Sequence, residues 1–484
     1  QCGLGLYAGM HPPRGPGARS VSSRASNVPV GHLEHGIEMA PDEPRGAGQQ
    51  HRLRLGFIGG RNRHRCRYGG LTCLEQAARG FLQSVNHRDA ARMDQSRKVV
   101  DWAILRAMED SAIVSRIVHE SYERAPSLLR SGRWWEHLDD GFARTSEKFD
   151  LSRADRLQIG AAAAFDHAVR GVFGTMVGAT AIPFGFNPIE LKWAMRDAEL
   201  YAGLAESADP TRFFHDPPSG VRVRVGRGRW FPRFEPEDGV CEVIRFDSPF
   251  QPVHPAQHKR YLRHDGNRVA YARMVRHRDG PRPTIVAIHG FTAEGYLINE
   301  WFFALPWFYR MGCDIVLFTL PFHGPRQTRF SPFSGHGFFA GGSSRFNEAV
   351  AQSVFDFRIL LRWLRGEQGV RQVGVTGLSL GGFISAMLAS VERDLAFALP
   401  NVPIISVADL VLEWQPIGAL MRAALTTTGL TPADARRLVA VSCPLTYAPV
   451  LPPERLMIVS GAGDRLAPPK HSRLLWDHWG RGRF

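Results

Sequence analysis

The stretch Val373-Gly374-Val375-Thr376-Gly377-Leu378-Ser379-Leu380-Gly381-Gly382-Phe383 decides how the rest of this chain is read. Its first four residues form a short β-rich run, and residues 383–390 have helical character. Between them lies the pattern Gly-x-Ser-x-Gly. A strand, a sharp turn with serine at its tip and then a helix is the context in which that pattern presents a nucleophile. The reason is steric. A serine on a strained turn needs small neighbours two residues to either side, and Gly377 and Gly381 meet that need. Gly382 lets the helix begin close to the sheet. The Ser379 hydroxyl would then project beside the Leu380 N–H and the start of a helix, both of which favour a developing negative charge. A chance match in a Gly/Ser turn is the alternative reading, and the flanking strand and helix weigh against it.

Outward from this stretch, strands and helices alternate. Residues 240–246 and 269–275 are β-rich and read as an antiparallel pair, the second entered by a turn at Asp265-Gly266-Asn267. Residues 284–288 form an apolar strand that ends in His289-Gly290-Phe291. Residues 298–311 read as one aromatic-rich helix, kinked at Pro306. Residues 314–320 form the next strand and lead into Pro321-Phe322-His323-Gly324. A long amphipathic helix is expected over 346–364, with Val350, Val354, Phe357 and Leu361 on one face. Further strands are expected at 395–399 and 456–460, the last ending in Gly461-Ala462-Gly463-Asp464. This alternation predicts a mostly parallel sheet with helices on both faces. Residues 406–453 read as a helical lid insertion. Thr431-Pro432-Ala433-Asp434 supplies a helix start within it, with a capping hydroxyl, a proline in the first turn and an acid three residues on.

The N-terminal half divides differently. Residues 99–238 read as a helical region and linker. Val100, Ile104 and Met108 share one face, Ala161 to Ala164 is strongly helix-forming, and a helix over 191–204 follows Pro188. Residues 209–236, rich in Pro, Gly and Arg, read as the connection to a domain at 239–484. Residues 1–98 have no apolar periodicity and read as a low-complexity, disordered tail.

Composition narrows the function classes. The 484 residues are 44% hydrophobic and 22% charged, which permits a sizeable core. The net charge is +14, but residues 1–98 hold 15 Lys and Arg against 7 Asp and Glu and so carry +8 of it. The sharpest basic run, Arg61-Asn62-Arg63-His64-Arg65-Cys66-Arg67, has no aromatic platform or basic helix beside it. Nucleic acid is therefore not an expected partner. The six cysteines form no C-x-x-C pair and no zinc-ligand spacing with histidine, so no metal and no cofactor is expected. Cys241 and Cys313 read as small core residues, which fits a reducing, cytoplasmic setting. The uncharged residues 171–189 are broken by glycines and Pro183 and bounded by Arg170 and Glu190. They read as a buried or surface-covering segment, and no stable membrane span is expected.

Three motifs in order make residues 239–484 resemble the α/β-hydrolase superfamily, of the esterase/lipase and dienelactone-hydrolase kind. They are His289-Gly290-Phe291, Gly377 to Gly381, and Gly461-Ala462-Gly463-Asp464-Arg465-Leu466-Ala467-Pro468. The resemblance implies Ser379 as nucleophile and Asp464 as the acid of a Ser-His-Asp triad. It also implies the N–H groups of Phe291 and Leu380 as the oxyanion hole, with His289, Gly290, Gly377 and Gly381 supporting them. The family's catalytic histidine follows the acid, beyond one more helix and strand. His471 and His478 fall on the expected helix at 470–479, where surface or packing roles are expected, so the catalytic histidine is expected beyond Phe484. His289 and His323 are expected to hold turns.

The implied activity is hydrolysis of a small-molecule carboxylic ester through an acyl-enzyme. Phe291, Phe302, Phe303, Phe322, Phe330, Phe333, Phe338 and Phe339 would suit an apolar acyl or aryl group. Ordinary core packing is the other reading of those rings. Arg326 and Arg329 could meet an anionic substrate group, but a surface role is the expected one. A peptidase or acyltransferase on the same triad, or a non-catalytic binding protein of the same fold, are the alternatives.

Overall fold

The computed structural model describes residues 133–147, 149, 153–180, 188–227, 234–293, 295–481 and 484. The tail and basic run within residues 1–98, and the face through Val100, Ile104 and Met108, lie outside the described residues.

Seven strands form one sheet among the described residues: β1 (Val223–Arg227), β2 (Gly239–Asp247), β3 (Val269–His277), β4 (Thr284–Ile288), β5 (Asp314–Thr319), β6 (Val373–Leu378) and β7 (Ala398–Asn401). Their spatial order is β1-β2-β3-β5-β4-β6-β7. The first three join antiparallel, β3 pairs β5 antiparallel, and β5-β4-β6-β7 run parallel. All five residues of β4 are buried, as a central parallel strand covered on both faces requires. Val286 and Ile288 belong to the larger apolar cluster, whereas Ile285 and Ala287 belong to a second one. Successive side chains point to opposite faces of a strand, so the sheet has a core on each side.

The main helices are α1 (Arg153–Thr180), α2 (Pro188–Glu206), α3 (Tyr296–Phe302), α4 (Leu305–Arg310), α5 (Gly342–Gly366), α6 (Leu380–Val391), α7 (Val407–Glu413), α8 (Ile417–Thr428), α9 (Pro432–Arg437) and α10 (Pro469–His478). Val350, Val354, Phe357 and Leu361 of α5 are all buried. Much of the polar side of α5 is buried as well, and Glu348, Asn347 and Gln352 there each have a partner. Tyr201 of α2 donates to Glu348 at 2.7 Å, Ser442 to Asn347 at 2.7 Å and Tyr261 to Gln352 at 2.7 Å.

Four local expectations change. The single helix expected over 298–311 is two helices, because Ala304 adopts a left-handed φ of 48° and Pro306 lies in the first turn of α4. The stretch read as linker contains β1, which pairs with β2 along five residues; its alternation of valine with arginine is a strand signal that the surrounding Pro and Gly obscure. Residues 456–460 are joined to β7 only through the bridges Ala398–Leu456 and Asn401–Val459. Arg326 is fully buried and paired with Asp356 at 2.6 Å, rather than at the surface.

Helix α1 lies on the loops around the sheet's end. A Cβ on Gly463 would stand 3.2 Å from Ile159, and one on Gly178 would stand 3.4 Å from Ile417. At its last residue the Thr180 carbonyl meets His336 Nε2 at 3.1 Å. No helix of the described residues is long and apolar enough to cross a membrane. Within residues 406–453, Thr431 and Asp434 form a reciprocal cap on α9, with Thr431 N donating to Asp434 at 2.8 Å and Asp434 N to Thr431 Oγ1 at 3.2 Å.

Candidate active site

Ser379 lies between the last residue of β6 and the first of α6, with φ 54° and ψ −106°. A non-glycine residue there is strained by about 1–3 kcal/mol and persists only when its surroundings hold it. Two backbone bonds hold it: Ser379 N–H donates to the Asn401 carbonyl at 2.9 Å, and Phe383 N–H donates to the Ser379 carbonyl at 2.9 Å. The glycines are required by close approach. A Cβ on Gly377 would strike Gly381 O and come 2.7 Å from Ser385 Oγ. One on Gly381 would strike Ile288 O and come 2.6 Å from His289 O, and one on Gly382 would meet Asn401 O at 2.7 Å.

Strand register assembles the rest. Ile288 of β4 pairs with Gly377 of β6, so His289-Gly290-Phe291 emerges beside Leu378-Ser379. Leu378 pairs with Asn401, and Asn401 bridges Val459, which brings the 461–464 loop to the same end. In open α/β sheets that edge, outside the carboxyl ends of the strands, is where ligands bind.

His289 fixes its turn. Its Nε2 accepts the Leu320 N–H at 3.1 Å, so the ring proton resides on Nδ1, 2.9 Å from the Gly290 carbonyl. Phe291 packs edge-on against Phe333 and Phe339, with ring centres 5.7 Å and 5.1 Å away. The N–H groups of Phe291 and Leu380 have no backbone acceptor among the described residues. Of the other phenylalanines, Phe322, Phe338 and Phe303 are core, and Phe330 is 86% exposed.

Asp464 follows the 456–459 segment on its Gly-rich turn. Its Oδ1 accepts the N–H groups of Leu466 at 2.8 Å and Ala467 at 2.7 Å. Burial nevertheless pushes its carboxyl up to about 6, the Ala467 N–H opposing and Asp166 adding repulsion.

The histidines divide by their bonds. His471 is fully buried, accepts the Ser406 N–H at 3.2 Å and packs edge-on to Phe142; burial, then the Lys470 charge, pushes its pKa down to about 3. His478 bonds the Tyr447 carbonyl at 2.8 Å. His323 is buried, with Nδ1 on the Pro321 carbonyl at 2.8 Å. Among the described residues no histidine bonds the Ser379 hydroxyl, and no group of three His, Cys, Asp or Glu could hold a metal ion.

The sequence reading missed Asn401. Its amide donates to Thr376 Oγ1 at 2.7 Å, Leu399 O at 3.1 Å and Gly377 O at 3.3 Å, beneath the serine turn. The available signal was a lone amide ending the run Ala398-Leu399-Pro400.

The family model "Alpha/beta hydrolase domain containing 18" matches residues 349–416, which contain most of α5, then β6, Ser379, α6 and β7. Two uncharacterized proteins of Mycobacterium tuberculosis are 33% identical over 299 residues, which is 58% of this chain and 66% of their own length. Among solved structures, acetyl xylan esterase from Paenibacillus sp. R4 is 14% identical, with 59% of this chain and 86% of that one covered at a TM-score of 0.39. Acetyl xylan esterase 1 from Thermoanaerobacterium sp. JW/SL YS485 is 15% identical, with coverage of 58% and 83% at the same score. The sheet order, the strand–turn–helix at Ser379 and the family model that spans it agree on an α/β-hydrolase fold for this part of the chain.

Proposed function

We propose that this protein is a serine hydrolase that cleaves a carboxylic ester of a small molecule. The observation that carries the reading is the strained φ/ψ of Ser379 at a turn whose three glycines admit no side chain. Such strain is retained where it presents a reactive group. In the proposed reaction Ser379 Oγ attacks the ester carbonyl carbon and loses its proton to a base. The carbonyl oxygen becomes an oxyanion beside the N–H groups of Phe291 and Leu380. Losing one such donor typically costs about 2.7–4 kcal/mol of barrier. The tetrahedral adduct expels the alcohol, which takes up the proton, and water then releases the acid from the acyl-serine.

Asp464 is the proposed acid of the triad. None of the described histidines bonds the Ser379 hydroxyl, and this proposal assigns the base to a histidine outside the described residues. The half-buried rings of Phe291, Phe333 and Phe339 beside the proposed hole support an apolar acyl or aryl group.

The test is labelling of the full chain with a fluorophosphonate serine probe, together with turnover of p-nitrophenyl esters. Labelling and turnover that vanish in Ser379→Ala, with the melting temperature held, are expected. Turnover that survives in Ser379→Ala overturns the nucleophile assignment. Absence of both in the wild-type chain favours a binding protein built on the same fold.

A further inference from the structure

A cleft of about 300 Å³ opens between residues 143–147 with Phe149, one side of α1 and the loop that follows Asp464. Among the described residues its charged lining is unbalanced. Both acids are already taken: Glu413 pairs with Lys470 at 2.7 Å and with Arg170 at 3.3 Å, and Glu147 pairs with Arg473. Lys470 also donates to the carbonyls of Phe142, Ala143 and Thr145 at 2.9–3.1 Å. Arg170 donates to the Arg465 carbonyl at 3.2 Å.

Two guanidinium groups of the lining remain. Among the described residues, neither Arg144 nor Arg465 has an ion pair, and Arg465 Nε is buried with no acceptor. A buried donor left unmade costs about 1–3 kcal/mol, more when charged. The backbone of Arg465 is nevertheless fixed from both sides. Its N–H donates to Asp166 at 3.0 Å, and its carbonyl accepts from Arg170. Its side chain thus starts from a fixed point in the cleft wall. His167, also in the lining, senses the field. Burial lowers its pKa, and the charges of Arg170 and Arg465 lower it further, against opposing effects of Glu413 and Asp166.

We propose that this cleft binds the anionic group of a small-molecule ligand, a carboxylate or a phosphate, with Arg465 and Arg144 as its cationic contacts. The bound oxygens pair with the two guanidinium groups and offset the surplus positive charge of the lining. Guanidinium pairs with such oxygens bidentately, which gives geometric selection over chloride. The site stands whether or not Ser379 is a nucleophile, because none of its contacts involves that residue.

Calorimetric titration of the full chain with inorganic phosphate and with citrate, at constant ionic strength set by chloride, tests it. Saturable binding of one anion per chain is expected. Arg465→Gln and Arg144→Gln should each weaken it by about tenfold, equivalent to about 1.4 kcal/mol. Arg144 is exposed, so its variant keeps the melting temperature of the free protein and remains informative even if Arg465→Gln unfolds. Arg224→Gln, on the edge strand β1 and outside the lining, should leave binding unchanged. The His167 pKa, followed by NMR, should rise on binding. Preference for phosphate or for citrate identifies the group. No saturable binding of either anion, or binding that Arg144→Gln and Arg224→Gln weaken equally, overturns the proposal and leaves non-specific attraction to a basic chain.

Discussion

Asn401 and Ser379 are locked together across the β6–β7 boundary. The Asn401 carbonyl accepts the Ser379 N–H at 2.9 Å while the Asn401 amide donates to the Gly377 carbonyl two residues earlier. One residue thereby grips the strand side of the strained turn at two points. Asn401→Ala removes the amide donors but keeps the backbone bond. It should cost about 1–2 kcal/mol of stability. Probe labelling of Ser379 should fall by about tenfold or more, since 1.4 kcal/mol of misplacement is a factor of ten in rate. Urea unfolding and labelling kinetics on one preparation check both numbers.

The glycines of the turn are predicted to be intolerant for a backbone reason. A Cβ on Gly381 meets the carbonyls of Ile288 and His289, and neither can rotate away. Gly381→Ala should destabilise by about 1–3 kcal/mol and abolish labelling. Gly366, at the end of α5, has open space around it. Gly366→Ala should stabilise by about 0.5–1 kcal/mol and leave labelling intact. Melting temperatures of the two variants separate them.

What sequence made legible here follows the range of the interactions. The turn at Ser379, the parallel core strands and the Thr431 cap depend on residues a few positions apart, and pattern reveals them. Asn401, Arg326 and Arg436 depend on partners 24 to 298 positions away, so no local pattern announces them. The break at Ala304 was hidden because the aromatic content of α3 and α4 is continuous and only the backbone reverses. The cleft at Arg465 needs α1, residues 143–147 with Phe149 and the post-Asp464 loop brought together, a juxtaposition set by tertiary packing alone.

Asp464 gives the proposed activity a pH dependence. Burial raises its carboxyl to about 6, so it carries a proton over part of the range where an exposed aspartate would be ionised. A triad acid acts as the carboxylate, which stabilises the charged histidine. Labelling of Ser379 should therefore rise with pH through about 6, provided the base is neutral there. Asp464→Asn should remove that limb of the profile and lower the rate about 10⁴-fold, as loss of the anionic partner does in such triads.

Glu348 gives stability a pH dependence of the opposite sense to that of a salt-bridged acid. It is fully buried, and burial raises its pKa to about 7, although the N–H groups of Val253 and His254 and the Tyr201 hydroxyl oppose the rise. The folded-state value lies above the unfolded one of 4.5, so the native chain holds a proton that the unfolded chain has lost. The stability tied to this group is complete below about pH 4.5 and is lost as pH rises through about 7. Glu348→Gln keeps the shape and should flatten the decline over that window. Urea midpoints at pH 4.5, 6 and 7.5 for both proteins measure it, and an unchanged slope would sink the assignment.

Arg436 ties residues 406–453 to residues 138–139. Fully buried, it pairs bidentately with the fully buried Asp409, Nε to Oδ2 at 2.9 Å and Nη2 to Oδ1 at 2.8 Å. It also donates to the carbonyls of Leu138 at 2.6 Å and Asp139 at 2.7 Å. Removing one partner strands the other charge, which typically costs about 3–5 kcal/mol. Arg436→Met should therefore be severely destabilising. Replacing both members should cost less than the two single losses added together, because Arg436→Met with Asp409→Leu leaves no buried charge. It should not restore the wild-type value, since the Leu138 and Asp139 carbonyls lose their donor. A double-mutant cycle by urea unfolding measures the coupling, and additive single effects would show that the pair acts as two independent groups.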